Sequence, residues 1–97
     1  MASELFVFTR CCAKESRQHS MAETIQEVLR PTRQEHGCLN IDAFRSTRDQ
    51  GVFFIYSRWK DEAAFDRHLQ LPHTVRFLES IQPLLAQTME VTRSVLI

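Results

Sequence analysis

The sequence predicts a single α+β domain in which helices cover one face of an antiparallel sheet. Ninety-seven residues provide enough chain for one hydrophobic core. Short apolar runs alternate with segments of helical period, in the order β-α-β-β-α-α-β. Two of the predicted strands are apolar on both faces. The sheet therefore has a second apolar face, which needs a cover of its own.

The first predicted strand and helix fill the N-terminal third of the chain. Residues 5–9 form a continuous run of strand-forming side chains, which is typical of a central strand buried on both faces. A helix is predicted over about 16–30, with Ser16 or Ser20 as its N-cap and Pro31 as its end. Its apolar positions recur at helical spacing: Met21, Ile25, Val28 and Leu29.

The middle of the chain predicts a hairpin. An extended stretch from Cys38 to about Phe44 is followed by a turn-rich segment at 46–51. The run 52–56 is the strongest predicted strand of the chain. The two strands are expected to pair in antiparallel fashion.

Two helices and a last strand follow. Asp61 is the expected cap of a short helix, and Pro72 begins a second one that ends near Pro83. The apolar positions of these helices are Ala64, Phe65, His68 and Leu69 in the first and Val75, Phe77, Leu78 and Ile81 in the second. The segment 88–97 alternates apolar and polar residues, which predicts a half-buried strand. This order of elements is the ferredoxin-like plan with its second helix split.

The composition argues against nucleic acids and membranes as binding partners. Twelve basic residues balance twelve acidic ones, whereas nucleic-acid binding needs a basic surplus on one face. No apolar run reaches the roughly 20 residues of a membrane span, and the N-terminus lacks the pattern of a signal peptide. The three cysteines form no disulfide or zinc pattern. We expect a cytoplasmic protein without nucleic-acid or membrane partners and without a metal, whose second sheet face is covered by an identical chain in a homodimer.

Two stretches of the sequence occur together in one known family. The first is EHGCL at 35–39, and the second is FFIYSRWKDEAAFDRH at 53–68, followed by LPH at 71–73. With this order and spacing, the chain resembles the antibiotic biosynthesis monooxygenase family along nearly its whole length, as one domain over 1–97. The resemblance implies a dimeric α+β barrel. It also implies oxygenation of quinol-like or other electron-rich aromatic substrates by O₂, without metal, flavin or another cofactor.

The resemblance points to a small set of site residues. His68 is the candidate acid/base, because a histidine titrates near neutral pH. Trp59 and Ser57 on one strand, Phe65 on the helix of His68, and His73 after Pro72 are candidates for binding the substrate. Structural roles compete with each assignment: His68 as a partly buried ring bonded to a carbonyl, Trp59 as a core aromatic, and His73 as an exposed residue at a helix start.

The sequence also departs from the family pattern. Many members carry Glu where Ser57 stands and Tyr where Ile41 stands, and the haem-degrading branch has an Asn in the first strand that is absent here. Two alternatives to a monooxygenase therefore stay open. One is a non-catalytic small-ligand-binding or stress-response domain, and the other is an isomerase of a small phosphorylated carbonyl compound. The remaining candidates are expected to be structural or solvated: the thiols of Cys11, Cys12 and Cys38, and the guanidinium groups of Arg45, Arg48 and Arg58.

Overall fold

The computed structural model describes residues 3–97 and contains one four-stranded antiparallel sheet with three helices on one face. The strands are β1 (Leu5–Cys12), β2 (Cys38–Arg45), β3 (Val52–Trp59) and β4 (Glu90–Ser94). The helices are α1 (Gln18–Arg33), α2 (Glu62–Gln70) and α3 (Pro72–Ile81), and a 3₁₀ turn at Gln82–Leu84 follows α3. The spatial order β2-β3-β1-β4 and the split second helix confirm the predicted ferredoxin-like α+β fold.

The inner face of the sheet forms the core against the helices. Strands β1 and β3 pair with Leu5 opposite Trp59 and Val7 opposite Ser57, so alternate residues of both strands point toward the helices. Nearer the far end of the sheet, α1 and α3 pack on the same face. The buried apolar side chains of that region are Cys11, Met21, Ile25, Ile41, Phe53, Ile55, Ile81 and Leu85. The core thus lies in one layer between sheet and helices.

The outer face of the sheet carries aromatic side chains that no part of the described chain covers. Phe8 is 53% exposed, Phe44 is 54% exposed and Phe54 is 40% exposed. The strand register places Phe8 opposite Tyr56 and Phe44 opposite Phe54, so these rings share one face. The prediction that β1 is central is correct, but within one chain only its inner face is buried.

Helix α1 differs from its prediction at both ends. Neither Ser16 nor Ser20 caps it; the N-cap is Arg17 and makes no side-chain cap bond. The helix runs through Pro31 to Arg33. A proline in the last turn removes only one intrahelical donor, and the Arg33 guanidinium fastens that turn to the carbonyl of Ile41 at 3.0 Å.

The boundaries of two strands also differ from their predictions. Strand β1 continues beyond the predicted run 5–9 to Cys12, so the two adjacent cysteines lie inside the strand. Strand β4 is only Glu90–Ser94, and its side chains are mostly exposed, so the expected half-buried strand to Ile97 is wrong for the single chain. Its partner β1 supplies hydrogen bonds on one side only, because β4 is an edge strand. No helix in the part of the chain from residue 3 onward is long and apolar enough to cross a membrane.

Candidate functional site

A cavity of about 420 Å³ lies between the inner face of the sheet and the three helices. Most of its wall is apolar, including Val7, Ile41, Ile55, Phe65 and Phe77. Its polar lining consists of Thr9, Thr32, Ser57, His68, Thr74 and Arg93. A largely apolar cavity with a few polar groups is the usual form of a small-molecule site.

His68 reaches this cavity because α2 is well anchored. The Asp61 carboxylate caps the helix by accepting a hydrogen bond from the backbone N–H of Ala64 at 2.8 Å. Ala64, Phe65 and His68 then fall on one helix face at spacings of one, three and four residues, and all three are buried. Phe65 and His68 both line the cavity.

The carboxylate of Glu35 joins two histidines. One of its oxygens, Oε2, lies 2.6 Å from Nδ1 of His68 and 2.6 Å from Nε2 of His73. The side chains of Glu35 and His68 are each only 10% exposed, and that of His73 is 20% exposed. Hydrogen bonds to a charged group at such burial are among the stronger ones in proteins. The trio fixes the ring of His68 in one orientation.

Gly37 allows α2 to come this close to the start of β2. A Cβ atom at Gly37 would overlap the Cβ of Ala64. The backbone carbonyl of Gly37 also accepts a hydrogen bond from the N–H of Lys60 at 3.0 Å, which holds the two segments together. The glycine of the EHGCL stretch therefore sets the distance between Glu35 and the helix that carries His68.

The hydrogen bonding defines the tautomer of His68. A carboxylate can only accept, so the His68 nitrogen that faces Glu35, Nδ1, carries the proton. The other ring nitrogen, Nε2, is left as an acceptor. Burial lowers the pKa of His68 below its ordinary value of 6.5, and the opposing effect of Glu35 is smaller. His68 is thus a neutral, oriented base at neutral pH, beside an apolar cavity.

Thr74 completes the environment of His68. Its hydroxyl lies 3.2 Å from Nδ1 of His68 and is buried at the start of α3. Pro72 opens that helix at its first position, where its missing N–H removes no intrahelical bond. Residues 72–74 therefore place both Thr74 and His73 beside the Glu35–His68 pair.

Trp59 lies behind the site. It is completely buried, its ring centroid is 4.6 Å from that of His68, and it packs edge-on against Phe65 at 5.5 Å. Its indole Nε1–H donates to the hydroxyl of Ser57 at 3.0 Å. Trp59 thus supports His68, Phe65 and Ser57 from the side away from the cavity, and it is not itself part of the cavity wall.

Among residues 3–97, Glu35, His68 and His73 also form a group whose side chains are of the kind that bind metal ions and lie close enough together to share one. Two ligands of one zinc ion, each about 2.0–2.1 Å from the metal in a tetrahedral site, lie more than 3 Å apart. The observed 2.6 Å between carboxylate oxygen and each ring nitrogen is a hydrogen-bond distance. The trio is therefore arranged as a hydrogen-bonded cluster, with a carboxylate between two histidines.

The structure gathers the predicted site residues into one region in two layers. Ser57, Phe65 and His68 line the cavity, whereas Trp59 and His73 stand behind it and contact His68 or its partner. Their roles in substrate binding stay predictions. The sequence interpretation did not assign Glu35, although this residue opens the EHGCL stretch. Its place beside His68, 33 residues away, depends on the folded chain.

The family model for antibiotic biosynthesis monooxygenases matches residues 5–80. The Mycobacterium tuberculosis protein "Putative monooxygenase Rv0793" is 26% identical over 92 residues, which cover 95% of this chain and 90% of that protein. The uncharacterized protein sll1783 of Synechocystis is 30% identical over 66 residues, covering 68% of this chain but only 45% of that protein. The family match and the similarity to the putative monooxygenase support a monooxygenase-like function.

The fold comparison agrees with the family match. The crystal structure of PA3566 from Pseudomonas aeruginosa superposes with a TM-score of 0.92 at 25% identity, covering 100% of this chain and 97% of that chain. A superposition of this quality over the whole chain shows that the two proteins share the fold. The chain therefore belongs to the antibiotic biosynthesis monooxygenase family.

Proposed function

We propose that this protein is a cofactor-independent monooxygenase of a small aromatic, quinol-like substrate. The observation that carries the proposal is the buried Glu35–His68 pair, in which Glu35 engages Nδ1 of His68 and His68 lines an apolar cavity. Such a pair is suited to remove a proton from a weakly acidic hydroxyl. The volume of about 420 Å³ lies within the range of small-molecule sites.

In this mechanism His68 starts the reaction by accepting a substrate O–H proton at Nε2. The imidazolium that forms is stabilised by Glu35, which already accepts the Nδ1–H. The electron-rich anion then reduces O₂. One oxygen atom enters the ring and the other leaves as water, so that a quinol and O₂ give a hydroxyquinone and water. All four electrons come from the substrate.

The cavity wall suits this chemistry because most of it is apolar. Apart from its hydroxyls, His68 and Arg93, the lining is aliphatic and aromatic. In a site with little water, the electrostatic stabilisation of the anion is stronger. Dioxygen is itself apolar, so an apolar lining is compatible with its entry.

Oxygen uptake with a panel of quinols tests the proposal. The wild type should consume one O₂ per quinol, and His68→Ala should lose roughly 100-fold or more in kcat/KM, as expected for loss of a general base. His19→Ala is the matched control, because the His19 side chain is 87% exposed and contacts only an exposed glutamate. No uptake above the buffer rate, or equal uptake by wild type and His68→Ala, would contradict the proposal.

A binding-only protein is the second candidate, and one observation favours it. Ile41 lines the cavity where many family members carry a tyrosine, so one polar contact to a substrate is missing. Ligand-induced thermal stabilisation without turnover would support this alternative. An isomerase of a phosphorylated compound has less support, because Arg93 is the single cation of the lining and is paired with Asp66 at 2.9 Å.

We further propose that the protein acts as a homodimer. The aromatic outer face of the sheet, formed by Phe8, Phe44, Phe54 and Tyr56, is large and apolar, and its edge carries the Arg58–Glu4 and Arg10–Glu90 ion pairs. Exposed apolar patches of this kind mark interaction sites. A two-fold axis through the face would pair identical patches, which supports a sheet-to-sheet dimer.

We also propose a cytoplasmic location, on the basis of the cysteines. All three cysteines are free, and burial raises the pKa of the Cys11 thiol to about 11. Thiols without disulfide partners are typical of a reducing compartment.

A further inference from the structure

The cavity wall contains buried hydroxyls, among them those of Ser57 and Thr32, whose protons are not used within the described part of the chain. Ser57 accepts the indole N–H of Trp59, and this bond leaves the Ser57 proton free. Thr32 is 0% exposed, and its Oγ1 has no hydrogen-bond partner among the described residues. Buried polar groups in proteins are nearly always satisfied. Two unused donors on the wall of one cavity therefore point to a ligand group that accepts hydrogen bonds.

The fold attaches the helix end that carries Thr32 to the strand that neighbours Ser57. Arg33, the neighbour of Thr32 at the end of α1, donates two hydrogen bonds to the carbonyl of Ile41. In the strand register Ile41 is the partner of Ser57. Arg33 thereby holds the end of α1, which includes Thr32, against β2 next to Ser57.

Trp59 connects His68 to Ser57. The indole of Trp59 donates to Ser57, and its ring centroid lies 4.6 Å from that of His68. Ser57 and His68 are thus contacted by one and the same side chain. His68, Ser57 and Thr32 all line this one cavity.

We infer that Thr32 and Ser57 are the donors that stabilise the substrate oxyanion formed when His68 removes a proton. The inference rests on the proposed proton transfer. The substrate O–H bond breaks, its proton passes to Nε2 of His68, and the electron pair stays on the oxygen. That oxygen then accepts hydrogen bonds from the two hydroxyls. The ligand class is a phenol or enol with a flat apolar body.

The identity of residue 57 agrees with this role. The family resemblance gives glutamate at this position in many members, and a carboxylate there would repel an anion. Serine instead supplies a neutral donor, and Trp59 holds its oxygen in place at 3.0 Å. The difference from the family pattern is then a change in what the cavity binds.

A chromogenic phenol tests the inference, because its phenolate form absorbs visible light. We would measure the phenolate fraction of bound 4-nitrophenol at a pH about one unit below its ionisation in water. The wild type should hold more phenolate than the free probe. Thr32→Val and Ser57→Ala should each reduce the ionisation constant by about tenfold, which is one pKa unit. Thr32→Ser, which keeps the hydroxyl, should behave as the wild type.

Two controls separate ligand binding from a structural role. Thr24→Val removes a hydroxyl from the same helix, at a position that does not line this cavity, and should leave the phenolate fraction unchanged. Thr32→Val should keep or raise the melting temperature, because the hydroxyl has no partner to lose. A lowered melting temperature with an unchanged phenolate fraction would show a structural hydroxyl and overturn the inference.

The remaining outcomes distinguish the subsite from the reaction. The wild type could ionise the phenol in a manner that depends on Thr32 and Ser57, yet take up no O₂ with quinols. That result would support the oxyanion subsite and overturn the monooxygenase proposal. The wild type could instead consume O₂ with quinols while Thr32→Val and Ser57→Ala ionise the probe to the same extent as the wild type. That result would support the monooxygenase reaction and overturn the oxyanion subsite. Failure of the wild type to bind or to ionise the probe would overturn the subsite as well.

Discussion

At the scale of single residues, the site depends on one carboxylate oxygen shared by two histidines. Glu35 Oε2 accepts from His68 Nδ1 and from His73 Nε2, each at 2.6 Å. The first bond fixes the tautomer of His68, and the second holds the carboxylate in position. His73 therefore acts on His68 through Glu35, although the two rings are 6.0 Å apart between centroids.

The role of Glu35 predicts the effect of removing its charge. Glu35→Gln should lower kcat/KM for quinol oxygenation by roughly 100-fold, because an amide no longer stabilises the imidazolium and permits the other tautomer. Steady-state oxygen uptake measures it. Glu23→Gln is the matched control, since Glu23 also contacts a histidine, His19, but on the exposed surface at 3.5 Å. A rate for Glu35→Gln equal to that of the control would exclude the orienting role.

The lowered pKa of His68 predicts how stability depends on pH. In the unfolded chain this histidine binds its proton near pH 6.5, whereas the folded chain binds it only at lower pH. Between these two values the unfolded state holds more protons, so the free energy of unfolding falls as the pH decreases below about 6.5. The groups that face His68 are Glu35, His73, Thr74, Trp59 and Phe65.

Urea denaturation between pH 5 and 8 measures this dependence. His68→Gln should show a smaller decrease on the acid side than the wild type, because it lacks the group whose pKa is lowered by burial. The same protonation should make the rate of quinol oxygenation fall at acidic pH. An identical pH profile of stability in wild type and His68→Gln would count against a buried neutral His68.

At the scale of the elements, Gly37 controls how closely α2 approaches the start of β2. Gly37→Ala should destabilise the fold by about 1–3 kcal/mol, because the added methyl overlaps Ala64. Thermal unfolding by circular dichroism measures it as a lower melting temperature. Gly51→Ala is the control, as its added methyl meets no atom closer than 3.4 Å. If both variants unfold at the same temperature, the close packing of α2 on Gly37 is not required.

The boundaries of the elements show where local sequence signals were overridden. Proline 31 was expected to end α1, yet the helix continues for two residues because Arg33 bonds to the carbonyl of Ile41 across to β2. Likewise, strand β1 extends through Cys11 and Cys12 because β3 offers register partners for both. In each case the deciding partner is distant in sequence, so no local pattern carried the information.

At the scale of the whole molecule, the exposed outer face of the sheet is the feature on which the proposed dimer depends. The three exposed phenylalanines of that face, Phe8, Phe44 and Phe54, belong to three adjacent strands. Covering them would remove a large apolar surface from water, at about 25 cal/mol per Å² buried. A small domain gains proportionally more from such burial than a large one.

The proposed dimer predicts a mass of about twice 11.4 kDa by sedimentation. Phe54→Glu should shift the protein to the monomer, because the variant would bury an unpaired charge in an apolar interface. Ala63→Glu introduces the same charge at an exposed position of α2 and should remain dimeric. A monomeric wild type at micromolar concentration would exclude the dimer.

Much of the fold could be predicted from the sequence, because it depends on local periodicity. Alternating and helical patterns gave the element order, Asp61 was identified as the cap of α2, and Pro72 as the start of α3. Family motifs drew attention to His68 and its surroundings. The paired function of these side chains was not predictable, because hydrogen bonds between residues 33 and 38 positions apart leave no trace in a single sequence.

The sequence by itself determined the α+β class, the split second helix and the surplus of apolar side chains on the sheet. The tertiary structure decided which of those side chains are inside. Strand register put Val7, Ser57 and Trp59 on the helix side and Phe8, Phe44 and Phe54 on the other. The packing of the helices and loops on the sheet also brought Glu35 to His68 and Thr32 to the cavity. The physical reason is that periodicity fixes the face of each element, whereas the partner of each face is set only when the elements pack.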